Sequence, residues 1–225
     1  MQKIMFEHRR FGLEQAVIAR LKENTRRRVR FPKGINDKDV ESAVMGIDQK
    51  GRVYFTFSVA TDQGTETVDV YPKYLIGEQV AIAQDYNRVL TEYLSSENIN
   101  NEAFKNFGEW QDNQHFGVWD KAGLTNKMFV RADLMPHVIE ITDIKAERLQ
   151  DISAEDCLRE GITTITDGKR EPGNGYGWDP HCAAYDRATF FTPRAAFAAL
   201  IDRLSGRGTW ERNEWQFAYT FKLIR

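Results

Sequence analysis

Trp215-Gln216-Phe217-Ala218-Tyr219-Thr220-Phe221-Lys222-Leu223 alternates large apolar side chains with smaller or polar ones over its whole length. A period of two is the mark of a strand with one buried face. Trp215, Phe217, Tyr219, Phe221 and Leu223 share that face, so a core must lie against it. Just upstream, Thr192-Pro193 pairs an N-cap residue with proline at the first helical position. Phe197, Leu200, Ile201 and Leu204 then recur at helical spacing, and Gly206 stops the helix. A long helix followed by a long half-buried strand gives the C-terminal quarter a mixed character.

The same reading extends toward the N-terminus. Val53, Phe55, Phe57 and Val59 alternate with polar neighbours between two turn-forming stretches, Asp48-Gln49-Lys50-Gly51 and Thr61-Asp62-Gln63-Gly64. Thr67 to Tyr71 alternates again, so residues 40–71 are expected to form a small antiparallel meander. Val80 to Ala83 and Val138 to Ile144 are further candidate strands. Ser153-Ala154-Glu155-Asp156 opens a short helix with a hydroxyl cap and early carboxylates suited to the helix dipole, ending at Glu160-Gly161. Leu13, Ala16, Val17 and Leu21 predict a helix from Gly12 to Asn24, followed by the basic run Arg26-Arg27-Arg28-Val29-Arg30. A polar helix near Asn98 to Asn106 and an aromatic-anchored loop around Trp110, Phe116 and Trp119 are expected, and the glycine-rich residues 163–191 read as a long surface loop. Many short strands with a few helices indicate α+β, or a small barrel with helices packed on it.

Composition limits the classes open to the chain. Its 225 residues are 41% hydrophobic and 28% charged, an ordinary globular balance. The net charge of -2 gives no global pull on nucleic acid, so any phosphate affinity must come from a local patch. Two cysteines, Cys157 and Cys182, build no disulfide framework. Met1 to Arg10 carries no apolar leader core, and no stretch approaches the ~20 apolar residues that cross a bilayer. A cytoplasmic protein without membrane contact is expected. His181-Cys182 lacks the paired spacing of a zinc site, and no metal or other cofactor is expected.

Lys22-Glu23-Asn24-Thr25-Arg26-Arg27 resembles the K-T-x-T-R-R signature that opens ASCH domains, a branch of the PUA-like superfamily. Four more stretches follow in the family's order. Tyr74-Leu75-Ile76-Gly77-Glu78 resembles its Y-x-x-G-D/E turn. Glu140-Ile141-Thr142-Asp143 with Glu147-Arg148-Leu149-Gln150-Asp151-Ile152 is similar to its central strand and the segment after it. Glu155-Asp156-Cys157-Leu158-Arg159-Glu160-Gly161 resembles its short acidic helix, and Trp210 to Leu223, with Asn213 and Trp215, its closing strand. The resemblance implies a single domain over residues 1–225, a small PUA-like β-barrel with helices packed at its ends. Residues 34–72, 87–126 and 163–191 would be insertions, as in variants often encoded by phages. It implies RNA or nucleoside binding, and in some small relatives an amidohydrolase that removes the acyl group of N4-acetylcytidine with a Lys, a Thr and a Glu. Those positions match Lys22, Thr25 and Glu160. Where many relatives carry an acidic residue after the turn, this chain has Gln84 followed by Asp85.

The chemistry asked of these residues is specific. Lys22 and Thr25, three apart at the expected helix end, would face one side. A threonine hydroxyl needs a neighbouring base, and a lysine takes part only when burial or nearby cations lower its pKa. Glu160 would take the hydroxyl proton or activate water while Lys22 stabilises an oxyanion. Arg26, Arg27, Arg28 and Arg30 form either a phosphate-binding edge or partners for the chain's many carboxylates. Trp110, Trp119, Tyr176 and Trp178 either stack bases or anchor loops, with Tyr176 and Trp178 the best placed to stack. Three activities stay open: a module for single-stranded RNA or a modified nucleoside, an amidohydrolase on acylated cytidine-type nucleosides, and a phage-type interaction protein with a relic site.

Overall fold

In the computed structural model, residues 1–95, 102–112, 122–164, 175–178 and 190–225 are described. The C-terminal strand β10 (Trp215–Leu223) is the organising element. It pairs antiparallel with β7 (Val138–Arg148) on one side and β2 (Asn24–Arg28) on the other. Beyond β7 lie β6 (Gln79–Ile82), antiparallel to it, and β1 (Gln2–Ile4), parallel to β6, giving the order β1-β6-β7-β10-β2. The register between β10 and β7 shifts between Thr220 and Phe221, an irregularity of the ladder. Residues 40–71 fold as expected into a separate antiparallel sheet: β3 (Val40–Ile47), β4 (Val53–Thr61) and β5 (Gly64–Val70). The fold is mixed α+β. Among the described residues no ladder joins β1 to β2, so the expected closed barrel is not formed by strand pairing.

The alternating faces explain how the two sheets meet. Val53, Phe55, Phe57 and Val59 are buried, whereas the outer sheet-edge residues Val44, Met45 and Ile47 are exposed. The Phe57 ring stands edge-on to Phe31 (4.9 Å) and Trp215 (5.3 Å), and Phe55 lies 5.4 Å from Phe217. Trp215 Nε1 donates to the Val40 carbonyl at 3.3 Å, satisfying its polar edge inside the core. The meander is therefore fastened to β10 by the aromatic stripe read from the sequence.

Helices cover the ends. α4 (Ala154–Arg159) begins as expected, with the Ser153 hydroxyl accepting from Asp156 N, and α5 (Pro193–Ser205) with the Thr192 hydroxyl accepting from Ala195 N. The short α6 (Thr209–Arg212) leads into β10. In the poorly legible region, α2 (Tyr86–Ser95) is a helix the sequence did not announce, and the expected polar helix lies further on, as α3 (Glu102–Asp112). Trp110 sits on α3, its ring 4.5 Å from Tyr86 and 5.5 Å from Phe107, in a second small core. Phe116 and Trp119 lie outside the described residues.

The largest correction concerns the first helix. α1 is only Leu13–Ile18. Arg20 turns the chain at φ 59°, and the amides of Leu21 and Lys22 both close on the Ala16 carbonyl. Residues 24–28 then run as β2, paired from Thr220↔Asn24 to Gln216↔Arg28. Arginine-rich sequence favours helix in isolation, but the ladder to β10 overrides that local preference. The expected 163–191 loop is also partly a hairpin: β8 (Ile162–Thr164) pairs with β9 (Tyr176–Trp178).

Phe57→Ala will remove the ring that joins both sheets and lower stability by about 3–5 kcal/mol in denaturant unfolding. Met45→Ala, at an exposed side chain of the edge strand β3, will change it by less than about 0.5 kcal/mol.

Candidate functional site

β2 and the end of α4 place four polar side chains together in the interior. Lys22, Thr25, Arg26 and Glu160 are all buried, between 3% and 7% exposed. Lys22 reaches the site from the turn after α1, and Thr25 and Arg26 from β2. Glu160 caps the C-terminal end of α4. The chain reverses immediately after it at Gly161, whose φ of 99° strains any residue with a Cβ. Glu23 N donates to the Arg159 carbonyl at 2.8 Å, holding the two segments in register.

The carboxylate of Glu160 is divided between two cations. Its Oε2 accepts from Lys22 Nζ at 2.5 Å and its Oε1 from Arg26 at 2.8 Å. Lys22 Nζ also donates to the Glu160 carbonyl at 2.8 Å. The far side of the Arg26 guanidinium is held by Glu147, through Nε at 3.0 Å and the terminal nitrogen at 2.5 Å, with Asp156 at 3.7 Å. Asn24 donates to Asp156 at 3.1 Å. Burial pushes the Lys22 pKa below the ordinary lysine range; the Glu160 carboxylate pulls it back up, and Arg27 and Arg26 add to the lowering. Cys157, one turn before Glu160, is buried, and desolvation raises its thiol to about 11, so it is an inert packing residue at neutral pH.

These groups form one wall of a recess of about 270 Å³. Lys22, Thr25, Arg26 and Glu160 face Phe197 and Leu200 of α5 across it. Among the described residues the Thr25 hydroxyl has no hydrogen-bond partner. The recess therefore offers an apolar wall, a free hydroxyl and a desolvated ion pair, which is the usual make-up of a small-ligand site.

Other candidates lie elsewhere. Arg27, Arg28 and Arg30 are exposed and line a second, larger groove of about 1030 Å³. Gln84 and Asp85 are buried away from both cavities. Gln84 donates to Glu92 at 2.6 Å, and Asp85 lies 3.7 Å from His8 and accepts from Arg88 N at 3.1 Å. Tyr176 and Trp178 also sit outside the recess: Tyr176 pairs with Phe190 in a bridge, and Trp178 packs on Phe11, Phe190 and the Arg203 guanidinium. Their rings anchor the hairpin. Among the described residues no cluster of His, Cys, Asp and Glu is placed to hold a metal; His181 and Cys182 lie outside those residues.

Sequence reasoning overlooked Glu147 and Asp156. Both stood within the motif-like stretches, and the excess of carboxylates there over the cations Lys22 and Arg26 was the available signal. It also overlooked the α5 wall, which was read only as core. A scan of family models gives no match, and searches of curated proteins and of solved structures give none.

Glu160→Gln will leave Lys22 and Arg26 buried with weakened compensation and cost about 3–5 kcal/mol near neutral pH. The loss will shrink as pH rises. Without the carboxylate the folded Lys22 pKa falls further below its unfolded value, so above that folded pKa the unfolded chain binds more protons and stability climbs with pH. Chemical unfolding of the variant at pH 6 and pH 9 measures this, and a cost that grows with pH would contradict it.

Proposed function

We propose that this chain is an ASCH-type, PUA-like domain that binds a nucleoside, or one unpaired base of a single-stranded RNA, in the recess beside Lys22, Thr25 and Glu160. One observation carries the reading. Residues 138 positions apart converge on a single recess, and they are the residues that the motif stretches single out. The chemistry of the walls agrees. A planar base lies against Phe197 and Leu200, while the Thr25 hydroxyl and the Lys22–Glu160 pair meet its polar edge. Among the described residues no helix is long and apolar enough to cross a membrane.

A second reading rests on the lowered pKa of Lys22 next to a free hydroxyl: an amidohydrolase acting on an acylated exocyclic amine. The Thr25 hydroxyl or a water adds to the acyl carbon, Glu160 accepts its proton, and Lys22 stabilises the oxyanion. The C–N bond then breaks, with the proton passing to the departing amine; where Thr25 is the nucleophile, a water then hydrolyses the acyl-threonine ester and restores the hydroxyl.

Thr25→Val separates these readings without disturbing the buried ion pairs. Titration calorimetry with cytidine and N4-acetylcytidine will show binding by the wild type that weakens about tenfold in the variant, the loss of roughly one hydrogen bond to a polar edge. Failure of every nucleoside to bind would sink the reading. Chromatography of the same mixtures tests turnover: conversion of N4-acetylcytidine to cytidine by the wild type but not by Thr25→Val establishes the enzyme, and no conversion dismisses that substrate.

A further inference from the structure

The larger groove, which begins at Arg27, has a different electrostatic character from the recess. Its walls carry Lys3 from β1, Arg27 and Arg28 from β2, Arg30 just beyond it, and Tyr71 and Lys73 after β5. One carboxylate, Asp37, also lines it. That charge is already met by Arg148 at 2.6 Å and the Trp215 amide at 3.1 Å. Arg28 pairs with Glu214 at 2.8 Å. Among the described residues, no carboxylate lies within ion-pair distance of Lys3, Arg27, Arg30 or Lys73. Lys3 instead donates to the Met128 and Val130 carbonyls at 2.6 and 2.8 Å, and Arg27 to the Met5 carbonyl at 2.8 Å. Lys73 is fixed by its own amide, which donates to the Tyr219 hydroxyl at 3.0 Å, while its ammonium stands 5.0 Å over Tyr74. A protein of net charge -2 thus concentrates uncompensated positive charge in one groove.

Geometry links this groove to the recess. Met5 and Arg27 line both. A ligand seated in the recess can continue past Arg27 into the groove, and the groove's far wall belongs to the meander of residues 40–71 and its exit, Tyr71 to Lys73. We propose that this groove carries the sugar–phosphate backbone flanking a base in the Lys22–Thr25–Glu160 recess, so that the ligand is a single-stranded polynucleotide and not a free nucleoside. The inference rests on the nucleoside reading of the recess and adds the class of molecule to which that nucleoside belongs. A single strand is required because a base can enter the recess only when it is unpaired. Phosphates are the chemistry that several clustered, unpaired cations recognise.

Fluorescence anisotropy with a labelled oligouridylate of about ten nucleotides, within the span of single-strand sites, tests this on the full chain. The probe will bind the wild type much more tightly than uridine does, with an affinity that falls as salt rises. The charge reversal Arg30→Glu with Lys73→Glu, at two exposed side chains, will weaken oligonucleotide binding at least tenfold. It will also flatten the log–log salt slope by ~1.4, for two lost phosphate contacts, and leave uridine affinity unchanged. Oligothymidylate in parallel reads whether the sugar matters. Equal affinity for oligonucleotide and nucleoside, an unaltered salt slope in the reversal variant, or equally tight binding of a duplex would each overturn the inference. Tight, salt-sensitive oligonucleotide binding that is untouched by Thr25→Val would uphold the groove while removing the base from the recess.

Discussion

The division of one carboxylate between two buried cations governs the rest of this structure. Glu160 is buried, and so are Lys22 and Arg26. Each alone would carry a desolvation cost of several kcal/mol. Together, with Glu147 and Asp156 behind Arg26, every charge has a partner at hydrogen-bonding or ion-pair distance. Such clusters add little net stability compared with an apolar core of the same volume. They do impose geometry. The turn after α1, β2, β7 and the end of α4 meet in an arrangement that leaves none of these charges unpaired.

That arrangement requires β10 to be where it is. β10 holds β2 and β7 on its two edges, which puts Arg26 opposite Ala218 and Glu147 opposite Gln216. Arg26, Ala218 and Gln216 with Glu147 alternate onto one face of the sheet, so the guanidinium and the carboxylate meet across β10. The same strand presents Trp215 and Phe217 to the meander, so the buried ion cluster and the inter-sheet core are built on opposite uses of one element. A second ion cluster steadies α1. Glu14, fully buried, meets Arg88 of α2 at 3.1 Å and Lys127 at 3.3 Å. Desolvation raises the Glu14 pKa, with both cations opposing that rise. Lys127 also donates to the Phe6 carbonyl, and α1 places Leu13 at the rim of the recess. Arg88 and Lys127 thereby support the site from outside without lining the recess.

Periodicity exposed the elements whose burial is one-sided. β4, β10 and α5 repeat their apolar residues at a fixed spacing because one face meets the core, and the caps at Ser153 and Thr192 were legible because they depend on adjacent residues alone. β2 was not legible. Its five residues carry no apolar alternation, and Asn24, Thr25 and Arg26 are all buried by partners far away in sequence. Only the pairing with β10 reveals it as a strand. The candidate site was half legible for the same reason. Residue types at Lys22, Thr25 and Glu160 were conspicuous as a resemblance, whereas the roles of Glu147 and Asp156 exist only once β7 and α4 are placed. Gln84 and Asp85 follow a motif-like turn in sequence, but that proximity says nothing about which side of a sheet a side chain takes; they turn toward α2 and His8.

The buried and exposed residues of the Lys22 to Arg30 segment divide the electrostatic work. Inside, Lys22 and Arg26 are fully engaged by carboxylates, so the recess presents polarity with little net pull on a distant anion. Its contribution is discrimination, because a mismatched partner would leave a desolvated charge unpaired. Outside, Arg27 and Arg30 point into solvent with no carboxylate partner among the described residues. Their field extends over roughly a Debye length, ~8 Å at physiological salt, and acts on any phosphate irrespective of the base attached to it. Within one run, Arg26 is buried among carboxylates while Arg27, Arg28 and Arg30 stay exposed. A single run of basic residues can therefore supply a selective interior and an attractive exterior.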